Sequence, residues 1–223
     1  MKNKTIFLVS ALAIIIGALL GVYLFGHNGS TVAVTENTIQ KNSSSTPTGN
    51  GGKVKNGVEK SGLINTPKPQ SRIVTDDFSI NLPTGWEETT STQNISVTAV
   101  NIGERIDDSA AQKINFKTYF AVAYEALKER SVNEYIKVFK DFLAMSIPGT
   151  VFTKEQDISI NGKSAHAIEM ELIQDGVGLK VLSVIIEGRG GNVWVMSFNT
   201  TKKNWNGYKE MFYSIANSFS LKK

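Results

Sequence analysis

The stretch LKVLSVIIEGRGGNVWVMSFN, from Leu179 to Asn199, decides the fold. Its pattern predicts two strands, residues 179–187 and 193–199, joined by the glycine-rich segment 188–192. Both strands carry apolar side chains on each of their two alternating faces. In the first strand these are Val181, Leu182, Val184, Ile185 and Ile186, and in the second they are Val193, Trp194, Val195, Met196 and Phe198. Because such a strand needs cover on both sides, the stretch predicts the centre of a sheet between two layers.

A hairpin precedes this stretch. Residues 157–160 and 163–173 alternate as strands and flank Asn161-Gly162, the pair best suited to a type I′ turn. Four consecutive strands connected by short turns favour an antiparallel sheet.

Two amphipathic helices supply the cover. Ser131-Val132-Asn133-Glu134 is a capping box that starts the first helix, and Pro148-Gly149 ends it. The second helix lies near the C-terminus. Its apolar stripe consists of Trp205, Tyr208, Phe212, Ile215 and Phe219. The sequence therefore predicts an α+β domain, an antiparallel β-sheet covered by helices.

The first part of this domain has a weaker pattern. Phe78, Ile80 and Leu82 alternate and run into the turn 83–86, and a second strand is predicted around Val97. Residues 103–113 form a polar excursion. Residues 119–127 suit either a strand or a helix, and we favour the strand.

Together these segments resemble the PsbP-like family. The matching motifs are FSINLPTGW from Phe78, SVNEY from Ser131, ING from Ile160, VLSVII from Val181, and a final helix that starts at Trp205 and leads into an N-S-F ending. The resemblance covers residues 73–221 and implies an α/β/α sandwich that serves as a binding or assembly module. The family includes photosystem II extrinsic subunits, a Ran-GTPase release factor and anchored prokaryotic proteins of unknown role. The matching positions are packing and turn residues, so no functional residue carries over.

The N-terminus predicts a membrane span. Lys2 and Lys4 precede the uncharged run of residues 5–25, which as a helix is about 31 Å long and matches a bilayer's hydrocarbon core. A cleaved signal peptide is the alternative, but its apolar stretch is shorter, and the nearest small-residue site, around Ala33, is distant. The chain has no Cys, which excludes a lipid-modified cysteine anchor. An uncleaved signal-anchor fits best.

Charge near the span predicts its orientation. The two N-terminal lysines keep residues 1–4 in the cytoplasm and send the C-terminal domain across the cell membrane. Within the span, Ala13, Gly17 and Gly21 recur every four residues and form a small-residue stripe that allows two spans to dimerise. The alternative is that Gly and Ala are simply common in membrane helices.

Residues 26–71 predict a flexible, disordered linker, called the tether below. They are rich in Ser, Thr, Asn and Gly, and they lack the apolar period needed to offset the entropy of ordering. The chain's net charge of +4 comes from residues 1–71, which leaves the domain of residues 72–223 nearly neutral. A nearly neutral domain argues against nucleic-acid binding.

Few residues of the domain suit chemistry. His166 shares a strand face with Ile168, which predicts a packing role. Glu169 and Glu171 share the opposite face, and such a pair suits acid–base or cation chemistry, but a solvent-facing row is favoured. The pairs Asp76-Asp77 and Asp107-Asp108 lack calcium-loop spacing, and the glycine-rich segment 188–191 joins two strands rather than a strand and a helix. The sequence predicts no catalytic, cofactor-binding or metal residues.

The predicted function follows from the anchor, the tether and the domain's lack of catalytic motifs. We expect a single-pass, extracytoplasmic, non-catalytic domain that contacts an unidentified protein partner and assembles a membrane or envelope complex. The alternative is a small-molecule or metal-ion binding module with its site near Asp107.

Overall fold

The computed structural model describes residues 71–89, 91 and 95–222. The predicted span, its Ala13, Gly17 and Gly21 stripe, and the tether up to residue 70 lie outside these residues. None of the described helices is both long enough and apolar enough to cross a bilayer.

Two antiparallel sheets and three helices make up the described domain. The larger sheet has seven strands in the order β3 (Trp86–Thr89), β4 (Ile95–Asn101), β5 (Tyr119–Ala126), β9 (Asn192–Thr201), β8 (Val177–Glu187), β7 (Lys163–Gln174) and β6 (Val151–Ile160). The smaller sheet has the order β1 (Ser71–Val74), β2 (Phe78–Leu82) and β10 (Ser220–Leu221). The helices are α1 (Ser109–Lys113), α2 (Val132–Ser146) and α3 (Trp205–Asn217).

The large sheet lies between two hydrophobic cores. On one face, Tyr135, Phe139 and Leu143 of α2, together with Ala111 of α1, pack against the sheet. On the other face, α3 and the small sheet cover it. Strands β8 and β9 are buried along both faces, as their sequence predicts.

The predicted antiparallel sheet covered by helices is confirmed, but one layer of the sandwich is only partly helical. Phe78 and Ile80 of β2, both fully buried, share the second core with Phe212 of α3. Strand β1 begins at Ser71, which is the last residue of the predicted tether and lies one residue before the predicted start of the domain.

The capping box and the hairpin turn both form as predicted. Ser131 is the N-cap of α2: its Oγ accepts from the Glu134 backbone N–H at 3.2 Å, and its own N–H donates to Glu134 Oε2 at 2.8 Å. Ile160 pairs with Lys163 across Asn161 and Gly162, whose φ angles of 49° and 76° suit a type I′ turn.

Other predicted boundaries were wrong or incomplete. Strand β6 begins at Val151, six residues before the predicted start. Residues 103–113 include the helix α1, and Phe219 follows α3 instead of lying within it. The strand interpretation of residues 119–127 is confirmed by β5.

Candidate functional site

Of the paired carboxylates of β7, Glu169 lies beneath α3 and Glu171 lies beside it on the same face of the strand. Glu169 is only 4% exposed, and Glu171 is partly buried beside it. The prediction of a solvent-facing row was therefore wrong for Glu169, whereas Glu171 remains partly exposed. The helix that covers their face comes from the far end of the chain, which strand alternation alone does not reveal.

Glu169 is bound by two residues of α3. The Tyr213 hydroxyl donates to Glu169 Oε1 at 3.0 Å, and the Lys209 ammonium lies 3.6 Å from the same oxygen. Burial, followed by the negative charge of Glu169, raises the pKa of Tyr213 well above its usual range, so this phenol stays protonated and remains a donor.

Glu171 lies between two lysines. Its Oε2 is 2.5 Å from the Lys202 ammonium, and its Oε1 is 3.2 Å from that of Lys180. The hydrogen bond from Lys202 is the main reason that the pKa of Glu171 lies below its ordinary value. The buried Lys180 also donates to Thr153 Oγ1 at 2.6 Å, and its ammonium lies 5.5 Å from the centre of the Trp205 ring.

In this arrangement, lysine ammonium groups form ion pairs with both carboxylates. We call Glu169, Glu171, Lys180, Lys209 and Tyr213 the β7–α3 charge cluster. Each carboxylate has a lysine within 4 Å, so neither is poised as a free base or as an open cation ligand. The contacts of Glu169 with Tyr213 and Lys209, and of Lys180 with Trp205, join α3 to the sheet.

A second buried carboxylate, Glu104, was missed by sequence reasoning. It accepts from the Thr118 backbone N–H at 2.7 Å, from the Thr118 hydroxyl at 2.8 Å and from the Asn204 amide at 3.1 Å. Burial and the adjacent Glu104 raise the pKa of Tyr208 to about 12. Because Glu104 lies in a polar loop, no pattern in the sequence distinguishes it from exposed acids.

His166 lies near the edge of the sheet, on the same face as Ile168. Its side chain is 18% exposed, its Nδ1 is 2.7 Å from Asp157 Oδ1, and its Nε2 is 3.6 Å from Glu155 Oε2. Glu155 is also bound by Lys140 of α2 at 2.6 Å. His166 therefore lies on the predicted core-facing side of β7, and its ring also contacts two acidic residues of β6, Glu155 and Asp157. His166 and Asp157 line an open cleft of about 380 Å³ beside the start of α2.

The paired aspartates have different roles. Asp108 is the N-cap of α1, and its Oδ1 accepts from the Ala111 N–H at 2.9 Å. Asp107 is exposed and forms an ion pair with Lys203 at 2.7 Å, which lowers the pKa of Asp107. Asp107 itself lines none of the clefts at His166, Met211 and Trp194, whereas its partner Lys203 lines the one beside Met211.

Two further clefts lie on the described surface. One, of about 530 Å³, is shallow and lies beside the start of α3, between Asn101 and Met211. The other, of about 540 Å³, is lined by residues of both sheets and by two aromatic rings, Tyr124 and Trp194. Segment 188–191 is the turn between β8 and β9, as predicted, and its Arg189 borders this second cleft.

Among residues 71–89, 91 and 95–222, no group of three or more His, Asp or Glu side chains is placed to hold a metal ion. Sequence comparison adds no assignment, because no family model and no curated protein matches the chain.

Comparison with solved structures shows a PsbP-like fold. The chain is similar to cyanobacterial PsbP of Synechocystis sp. PCC 6803, with 14% identity and a TM-score of 0.54 over 74% of this chain and 99% of that one. It is also similar to LpqN of Mycobacterium tuberculosis, described as involved in cell envelope biogenesis. That match has 12% identity and a TM-score of 0.52 over 70% of this chain and 87% of that one. At these identities the likeness concerns the fold alone.

Proposed function

We propose that this protein is a non-catalytic binding domain, held outside the cytoplasm by a single membrane span at residues 5–25. Its role is to contact a protein partner and so assemble or stabilise a membrane or envelope complex. The tether lets the domain reach that partner at a distance from the bilayer.

The β7–α3 charge cluster is the observation that carries this proposal. It contains the residues best suited to acid–base chemistry, and their carboxylates are neutralised by Lys180, Lys202 and Lys209 within 4 Å. Glu169 binds Tyr213 and Lys209 of α3, and so these charges stabilise the packing of the helix on the sheet, which favours a rigid binding domain over an enzyme.

Two other observations support the location and the role. The uncharged run of residues 5–25 follows two lysines, the charge pattern of a span with its N-terminus inside. LpqN, one of the structural neighbours, is described as involved in cell envelope biogenesis.

The test is cross-linking of the full-length protein in intact cells, followed by purification and mass spectrometry. We expect one membrane or envelope protein to recur, together with an intact peptide from Met1 to Lys4. A matched control carries a cleavable signal peptide in place of residues 5–25, so that the domain is released and the partner is no longer enriched. Absence of a recurrent partner, or a mature chain that starts near Val34, would contradict the proposal.

A further inference from the structure

The second cleft, of about 540 Å³, is built from the ends of both sheets. We call it the aromatic cleft. One wall comes from the small sheet: Asp76 and Asp77 lie in the β1–β2 turn, and Lys222 follows β10. The other wall comes from the large sheet, with Arg189 and Asn192 where β8 turns into β9.

Two aromatic rings line the cleft. Tyr124 is 46% exposed, although most of its strand β5 is buried. Its ring lies 5.3 Å from that of Trp194, edge to face. Trp194 is fixed from beneath by Phe78 at 5.0 Å and Phe219 at 6.0 Å between ring centres. The Tyr124 ring is therefore a flat apolar surface on a rigid support, open to solvent.

The walls carry hydrogen-bonding groups of both kinds. Within the described part of the chain, no ion pair engages the carboxylates of Asp76 and Asp77 or the cationic groups of Arg189 and Lys222. Opposite charges thus border one cleft without neutralising each other. The Asn192 amide is held in place because it donates to the Tyr124 hydroxyl at 3.1 Å and also to the Arg189 carbonyl.

We propose that the aromatic cleft binds an oligosaccharide, with Tyr124 as its stacking surface. A sugar hydroxyl both donates and accepts, so it can bridge carboxylate acceptors on one wall and the Arg189 guanidinium donors on the other. The C–H face of a sugar ring is apolar and flat enough to pack on an exposed aromatic ring.

Other ligand classes fit less well. A cleft open to solvent does not enclose a small metabolite, whose site normally buries most of its surface. An extended peptide gains affinity by pairing with a free strand edge, but β5 and β9, which supply the two aromatic rings, are paired on both sides, and the edge strand at this cleft, β10, has only two residues. This site goes beyond the proposed function, since a sugar ligand does not depend on capture of a protein partner.

The test uses full-length protein in an amine-oxide detergent, because glycoside detergents carry sugar head groups. An array of neutral, amino and acidic oligosaccharides, with extended peptides alongside, identifies a probe whose affinity is then measured by titration calorimetry. We expect Tyr124→Ala to weaken binding about tenfold, the upper range for one aromatic contact. Tyr124→Phe keeps the ring and is expected to retain most of the affinity.

Charge variants test the walls. Arg189→Gln should weaken binding severalfold, whereas Arg105→Gln, an exposed arginine outside the cleft, should leave it unchanged. Equal urea midpoints for all variants show that the fold is intact. The proposal is overturned if no oligosaccharide binds, if only peptides bind, or if Tyr124→Ala binds as tightly as the unaltered chain. These outcomes are independent of the cross-linking result.

Discussion

At the scale of single residues, Glu169 shows why strand alternation was an incomplete guide. The alternation placed it correctly on the face opposite Ile168, but it gave no sign that α3 covers that face. Nor did it show that Glu171 is paired with Lys180 and Lys202. Sequence patterning shows which side chains share a face, whereas burial depends on which distant element packs there.

The phenol of Tyr213 is expected to stabilise the fold through Glu169. Tyr213→Phe removes the donor at 3.0 Å and leaves a nearly buried carboxylate with one fewer partner, at a cost of about 2 kcal/mol. Urea unfolding measures this cost. Tyr124→Phe is the matched control, since its hydroxyl serves an exposed hydrogen bond and should matter by less than about 0.5 kcal/mol. Equal effects of the two variants would refute a special role for the buried bond.

The Lys140–Glu155 ion pair predicts a pH dependence. Lys140, donating at 2.6 Å, lowers the pKa of Glu155 below its ordinary value of 4.5. A depressed folded-state pKa adds stability above the ordinary pKa, and this stability is lost as pH falls through the folded-state pKa. Lys140→Gln should therefore lower the free energy of unfolding near neutral pH by less than about 1 kcal/mol, because the pair is partly exposed.

The difference between Lys140→Gln and the unaltered chain should vanish in acid, below the folded-state pKa of Glu155. Urea titrations on both sides of pH 4.5 measure it. Lys137→Gln is the control: its partner is Asp141, and its side chain is 75% exposed, so a smaller effect is expected. A loss that persists unchanged in acid would show that Lys140 acts through packing instead of charge.

At the scale of elements, the start of α2 was predictable because its signal is local. Ser131 and Glu134 satisfy each other's backbone N–H groups within four residues. Ser131→Ala should cost about 1 kcal/mol in unfolding free energy. Asn133→Ala changes an exposed residue in the same turn without touching the cap. If both variants unfold at the same urea concentration, the cap contributes nothing to stability.

The β6–β7 hairpin turn makes a second prediction for an element. Gly162 has φ of 76°, in the left-handed region, so Gly162→Ala should destabilise the domain by about 1–2 kcal/mol through backbone strain. Gly103→Ala is the matched control. Its φ lies outside that region, and an added Cβ would meet only Asn101 Oδ1 at 3.8 Å, an ordinary contact. Thermal unfolding of the two variants measures the difference in stability, and similar unfolding midpoints would contradict backbone strain at position 162.

Strands whose own residues show no apolar alternation were not predicted from the sequence. Most of β6 is exposed, so residues 151–156 show no apolar alternation, and β1 has only Ile73 buried. These strands form because partners elsewhere in the chain pair with them: β6 along β7, and β1 along β2. Nothing within their own residues requires a strand.

At the scale of the whole molecule, two strands apolar on both faces were enough to predict a covered antiparallel sheet. They did not reveal what the second cover is made of. Part of it is the sheet β1–β2–β10, which joins residues near the start of the domain to its last strand. That pairing spans the whole domain in sequence, and Ser220 lies opposite Ser79. The aromatic cleft exists only because this pairing brings Lys222 near Asp77, whose carbonyl accepts from the Lys222 N–H at 2.8 Å.

The proposed topology of the whole chain is open to a direct test, because the sequence has no Cys and single cysteines can be added without background. Asn3→Cys marks the N-terminus, and Lys137→Cys marks an exposed position of α2. With a membrane-impermeant maleimide on intact cells, we expect Lys137→Cys to react at once and Asn3→Cys to react only after the cells are permeabilised. The unaltered chain should stay unlabelled throughout. Labelling of Asn3→Cys on intact cells would reverse the orientation, and recovery of Lys137→Cys from the medium would show a cleaved, released domain instead of an anchored one.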